Sequence, residues 1–126
     1  MKLQKLLYVD DDPINLEYFE WKFRDTNVKL KTAKNGKEAL EQLKTFYPDL
    51  ILTDNIMPEM TGWELIKVLK QNDHYKDIPI IVLSAVDDFD KKDKAIELGA
   101  SDYIYKPASF PKIMEHIENV LTGGVK

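Results

Sequence analysis

Apolar residues along the chain fall into two patterns that alternate. Short continuous apolar runs occur at Leu6–Val9, Leu50–Thr53 and Pro79–Ser84. Each is too short for a typical helix and lacks the polar alternation of a half-exposed strand, so each reads as a strand buried on both faces. A shorter run, Asp102–Tyr105, ends at Lys106 and Pro107, and the weaker alternation of Val28–Ala33 predicts an edge strand.

Helical spacing fills the intervals. Leu16, Phe19 and Phe23 form one stripe after Pro13, a residue suited to a first helical turn. Asn35 and Gly36 open a helix carrying Ala39, Leu40 and Leu43, and Thr61 and Gly62 open one carrying Leu65, Ile66 and Leu69. Ala95, Ile96 and Leu98 belong to a helix stopped by Gly99. Ile113, Ile117, Val120 and Leu121 belong to a last helix that ends at Gly123 and Gly124. Strand and helix therefore alternate five times, which predicts an α/β fold: a parallel sheet with helices on both faces. In such sheets ligands bind beyond the C-terminal strand ends, where the strand order reverses.

The residues at those ends are chemically distinctive. The first strand runs into Asp10, Asp11 and Asp12, the third into Asp54, the fourth into Ser84 and the fifth into Lys106. Polar residues at strand ends are ordinary, but this set is costly if the first and third strands are neighbours. Two like charges about 4 Å apart repel by about 1 kcal/mol in water and about 4 kcal/mol at an effective dielectric of 20. A bound cation, or protonation of one acid, relieves that repulsion. An all-oxygen carboxylate cluster suits a hard cation, with Mg²⁺ the first choice. Lys106 and Ser84 suit an anion instead. A carboxylate beside Mg²⁺, faced by an ammonium and a hydroxyl, is arranged for phosphoryl transfer onto Asp.

Composition narrows the field further. The chain has 126 residues, no cysteine and a net charge of −4. Disulfides, thiolate metal sites and cysteine nucleophiles are excluded, and a mildly acidic domain is a poor general ligand for nucleic acid or an anionic membrane. The longest apolar run is too short to span a bilayer, and no secretory leader pattern opens the chain. The expectation is one soluble, cytoplasmic domain over residues 1–126, with no membrane insertion and no direct nucleic-acid contact.

Four segments carry a family resemblance. Leu6-Leu7-Tyr8-Val9-Asp10-Asp11-Asp12-Pro13, Asp54-Asn55-Ile56-Met57-Pro58, Pro79-Ile80-Ile81-Val82-Leu83-Ser84-Ala85 and Gly99-Ala100-Ser101-Asp102-Tyr103-Ile104-Tyr105-Lys106-Pro107 occur in that order. Together they resemble the receiver domain of two-component response regulators, the CheY-like fold. The resemblance covers about Lys5 to Leu121. It implies a doubly wound, flavodoxin-like (βα)5 fold with strand order 2-1-3-4-5. It makes Asp54 the phosphoacceptor, Asp11 and Asp54 direct Mg²⁺ ligands together with the backbone carbonyl of Ile56, and Asp10 a ligand through water. Ser84 is then the hydroxyl that moves to the phosphoryl group, Lys106 its ion-pairing partner and Tyr103 the switch aromatic. Pro107 follows through a cis peptide, and the surface of the fourth and fifth helices and fifth strand responds. Implied partners are a histidine kinase or histidine phosphotransferase, a downstream protein target, and a second copy in a phosphorylation-dependent homodimer. Such a chain catalyses no reaction beyond its own phosphorylation and dephosphorylation.

Some features belong to this sequence in particular. Ile56 and Val86, which the resemblance sets beside the phosphoryl position, are both apolar and unable to orient an attacking water, which predicts slow dephosphorylation; the alternative is that both merely pack. Ile14, Tyr18 and Trp21 form a second stripe on the first helix, more than one sheet face needs; the resemblance, in which the first helix helps dock the kinase or phosphotransferase, implies an exposed docking patch, and the alternative is a wider core face. Trp63 is expected to pack, His74 and His116 to lie on the surface, and Asp12 to cap the first helix. Asp87, Asp88 and the mixed charges that follow are expected to be a solvated loop and helix start. Two other functions compete. Asp10 and Asp12 after an apolar strand, with Ser84 after another, also resemble a haloacid-dehalogenase-type phosphatase, with Asp10 as nucleophile and Asp12 as acid/base. A phosphorylation-independent interaction module is the other. Whether the chain works by itself or as part of a larger protein is left open.

Overall fold

A computed structural model describes residues 2–55, 60–85 and 89–123. Five strands and five helices alternate: β1 (Lys5–Val9), α1 (Pro13–Phe23), β2 (Lys29–Ala33), α2 (Gly36–Leu43), β3 (Leu50–Asp54), α3 (Gly62–Lys70), β4 (Ile80–Ala85), α4 (Phe89–Leu98), β5 (Asp102–Lys106) and α5 (Phe110–Leu121). The strands pair in parallel in the order β2-β1-β3-β4-β5. This is the doubly wound, flavodoxin-like arrangement that the resemblance implied.

Strand limits differ from the apolar runs by a residue because a ladder is made by the backbone, whatever the side chain. β3 and β5 run on to include Asp54 and Lys106, and β1 begins at Lys5. β4 starts at Ile80, since Pro79 has no N–H to give; its carbonyl still accepts from the Ile51 N–H. Helix starts follow their capping residues. Asp12 accepts from the Ile14 N–H, Asn35 from Glu38, and Thr61 forms a reciprocal capping box with Glu64. Gly99, with φ +119°, turns the chain after α4 as expected.

Alternation along the strands sends side chains to two cores. Leu7, Val9, Ile51, Ile80 and Val82 pack against α2, α3 and α4. Leu6, Tyr8, Leu50, Leu52, Ile81 and Leu83 pack against Phe19 and Phe23 of α1 and Ile113 and Ile117 of α5. The strand order reverses between β1 and β3, so the ends of these neighbouring strands form the crevice where such a fold binds its ligand.

Candidate functional site

β1 delivers Asp10 and Asp11 and β3 delivers Asp54 to the same edge. One carboxylate oxygen from each lies within 4.8 Å of the other two. The predicted crowding of acids is therefore present, and Asp12 stands apart as the cap of α1. Asp10 is fully buried, Asp54 half-buried and Asp11 exposed. Such a set fits a hard divalent cation reached from the solvent side.

Lys106, at the end of β5, places its Nζ 3.3 Å from Oδ2 of Asp54. The other oxygen of Asp54 accepts the Asn55 N–H at 2.7 Å. Burial pushes the Asp54 carboxyl above its ordinary range; Lys106 opposes that shift, and the charge of Asp10 adds to it. Ser84, paired with Tyr105 in the β4–β5 ladder and one residue before the Ala85–Lys106 pair, is 2% exposed, and its Oγ has no hydrogen-bond partner among the described residues. A buried hydroxyl without a partner is costly, and a phosphoryl oxygen in the neighbouring cleft would satisfy it.

That cleft, of about 910 Å³, is lined by Asp54, Ser84 and Lys106 together with apolar walls from Tyr18, Phe19, Pro107 and Phe110. The Lys106–Pro107 peptide is cis, as the resemblance implied. On α1, Ile14, Tyr18 and Trp21 are 72%, 44% and 59% exposed, so the second stripe is a surface patch and not a wider core. Lys22 lies over the Tyr18, Trp21 and Phe110 rings, at 4.9 Å from the last. Tyr103 is buried, with its ring parallel to that of half-buried Trp63 at 6.5 Å, so Trp63 packs as expected.

One expectation is corrected. His116 is not a plain surface residue: its Nδ1 lies 2.6 Å from Oδ2 of Asp102, and both side chains are about a quarter exposed. His74 is exposed, as expected. Ile56, Val86, Asp87 and Asp88 lie outside the described residues, as does Gly124.

Sequence reasoning missed the groups that hold Asp10. Tyr8 donates its hydroxyl to Oδ2 at 2.6 Å, the Asn15 side-chain amide donates to the same oxygen at 3.0 Å, and the Asp12 N–H donates to Oδ1 at 3.0 Å. Burial, then the bond to Asp10, raises the Tyr8 phenol far above its ordinary value, so it keeps its proton. The available signal was the spacing: residues two apart on a strand share a face.

Comparison with known proteins agrees with this geometry. The family model for the response regulator receiver domain matches residues 6–118. A probable cyclic di-GMP phosphodiesterase of Vibrio cholerae is 37% identical over 118 residues, which is 90% of this chain and 26% of that protein. The transcriptional regulatory protein CusR of Escherichia coli is 30% identical over 120 residues, 95% of this chain and 52% of that protein. The chain thus spans about half or less of these relatives. Among solved structures, a putative response regulator from Chloroflexus aurantiacus is 33% identical with a TM-score of 0.87, covering 96% of this chain and 99% of that one. The chemotaxis response regulator CheY4 of Vibrio cholerae is 28% identical with a TM-score of 0.85, covering 94% and 99%. With its strand order, its three clustered acids and a family model matched over most of its length, the chain belongs to the response regulator receiver domains.

Proposed function

We propose that this receiver domain accepts a phosphoryl group on Asp54 from a phosphohistidine of a histidine kinase or phosphotransferase. The observation that carries the proposal is the meeting of the Asp10, Asp11 and Asp54 carboxylates with Lys106 Nζ 3.3 Å from Asp54. Asp11 and Asp54 would hold Mg²⁺ directly, with the Ile56 carbonyl as a third ligand and Asp10 acting through water. When bound, the ion neutralises charge on the transferring phosphoryl oxygens.

The chain's own residues do the rest. A carboxylate oxygen of Asp54 forms the new bond to phosphorus, the P–N bond to the donor histidine breaks, and its electron pair returns to the imidazole. Lys106, now beside Asp54, ion-pairs with the transferred group, and the Ser84 hydroxyl donates to it. That shift of Ser84 changes the packing available to Tyr103, and the surface of α4, β5 and α5 presents the change to a protein target or a second copy. Dephosphorylation, like phosphorylation, uses this same site, in the cytoplasm. Ile14, Tyr18 and Trp21 on α1, with Pro107 across the cleft, form the docking face for the donor; their exposure supports this.

The phosphatase reading finds less support. It needs Asp12 as a free acid/base, whereas the Asp12 side chain accepts the Ile14 N–H at 2.9 Å as a helix cap. Phosphotransfer profiling against candidate kinases, with Asp54→Asn as control, tests the proposal. Transfer from at least one kinase to the wild-type chain and none to the variant is expected; equal labelling of both would reject Asp54.

A further inference from the structure

Asp10 is completely buried, and three neutral donors converge on its carboxylate from β1, the β1–α1 turn and α1. The Tyr8 hydroxyl comes from inside the sheet at 2.6 Å, the Asn15 amide from the first turns of α1 at 3.0 Å, and the Asp12 N–H from the β1–α1 turn at 3.0 Å. The first two share Oδ2, and the third takes Oδ1.

The Tyr8 ring is itself fixed. It is 1% exposed and stacks on Phe19 with centroids 3.9 Å apart and planes 21° from parallel. Phe19 in turn packs against Phe23 and Phe110. The phenol is therefore a rigid rod from the α1–α5 core to the acidic cluster. Its hydroxyl ends on Oδ2 of Asp10, whose carboxylate lies against those of Asp11 and Asp54.

We infer that Tyr8 and Asn15 are positioning residues for the cation site: by fixing Oδ2 of Asp10, they set the carboxylate orientation that Mg²⁺ and its waters meet. The inference rests on the reading of Asp10, Asp11 and Asp54 as that site. Groups that orient a metal site from behind its ligands commonly change metal affinity by about 10- to 100-fold when removed. Phenylalanine at position 8 keeps the ring and its stacking and deletes just the hydroxyl, so it separates orientation from packing.

The experiment is direct calorimetric titration of Mg²⁺ into the unphosphorylated full chain, with the thermal midpoint recorded for each protein. Four variants are compared with wild type: Tyr8→Phe, Asn15→Ala, Asp11→Ala and Ile117→Val. Ile117 is fully buried in the same core and serves as the packing control. Tyr8→Phe and Asn15→Ala are each expected to weaken Mg²⁺ binding by about tenfold or more. Ile117→Val should lower the midpoint and leave the affinity at the wild-type value. Wild-type affinity in Tyr8→Phe overturns the inference while leaving the proposed function standing, as does an equal loss in Ile117→Val. Unchanged affinity in Asp11→Ala, or no Mg²⁺ binding by wild type, overturns both.

Discussion

Gly62, the first residue of α3, stands so close to the end of β3 that a Cβ at this position would lie 2.8 Å from the Asp54 carbonyl oxygen. It would also lie 3.0 Å from the Asn55 Cα, and the Gly62 N–H donates to the Asn55 carbonyl at 2.8 Å. The atoms it would meet are backbone, so the strand end itself must shift. Gly62→Ala is expected to destabilise the fold by about 1–3 kcal/mol and, because Asp54 moves with its own carbonyl, to slow phosphorylation. Urea unfolding and labelling by acetyl phosphate with Mg²⁺ check the two effects; a variant normal in both would show that the contact relaxes freely.

Phe19 links the first helix to the core beneath the site. It is 4% exposed, and its ring meets those of Tyr8, Phe23 and Phe110. Phe19→Ala leaves a cavity there and should cost about 3–5 kcal/mol in equilibrium unfolding. A loss below about 1 kcal/mol would mean that α1 and α5 close the gap.

The exposed stripe on α1 predicts the opposite separation. Changing Ile14 and Trp21 together to Ala should move stability by no more than about 0.5 kcal/mol per site, as for surface substitutions generally. Labelling by acetyl phosphate should be unchanged, since a small donor needs no docking face. Transfer from a cognate phosphorylated kinase should fall about tenfold, equivalent to about 1.4 kcal/mol of binding. Undiminished transfer would remove the patch from the docking surface.

Phosphoryl lifetime depends on the residues flanking the site. We propose that Ile56 and Val86, which the family resemblance sets at the flanking positions, leave an attacking water unoriented. Replacing them with Asn and Glu should speed loss of the phosphoryl group about tenfold, less than the full effect of a positioned general base. Decay followed after removal of donor tests this, and an unchanged rate would mean that access of water, not its orientation, sets the lifetime.

Much of this architecture was legible from apolar patterning. Buried parallel strands are continuous apolar runs, so β1, β3 and β4 declared themselves, and Asp10, Asp54, Ser84 and Lys106 stood out because each follows such a run. Of the two stripes of α1, Leu16, Phe19 and Phe23 face the core, with Leu16 half-buried, and the second, which the sequence left open between a patch and a wider core face, is exposed at Ile14, Tyr18 and Trp21, because a helix on one sheet face buries one side. Contacts set by side-chain reach were not legible. Tyr8 read as one more core residue, although its hydroxyl extends beyond the core to Asp10. His116 meets Asp102 only because α5 folds back along β5, a placement that no local spacing encodes.

In the function proposed above, Asp54 and not Asp10 receives the phosphoryl group. The most direct measurement is mass mapping of tryptic peptides after reaction with acetyl phosphate and Mg²⁺. Added phosphoryl mass is expected on the peptide between Lys44 and Lys67, which carries Asp54, and none in the Asp54→Asn variant. Phosphoryl mass on the peptide between Lys5 and Lys22, which carries Asp10, Asp11 and Asp12, would contradict it.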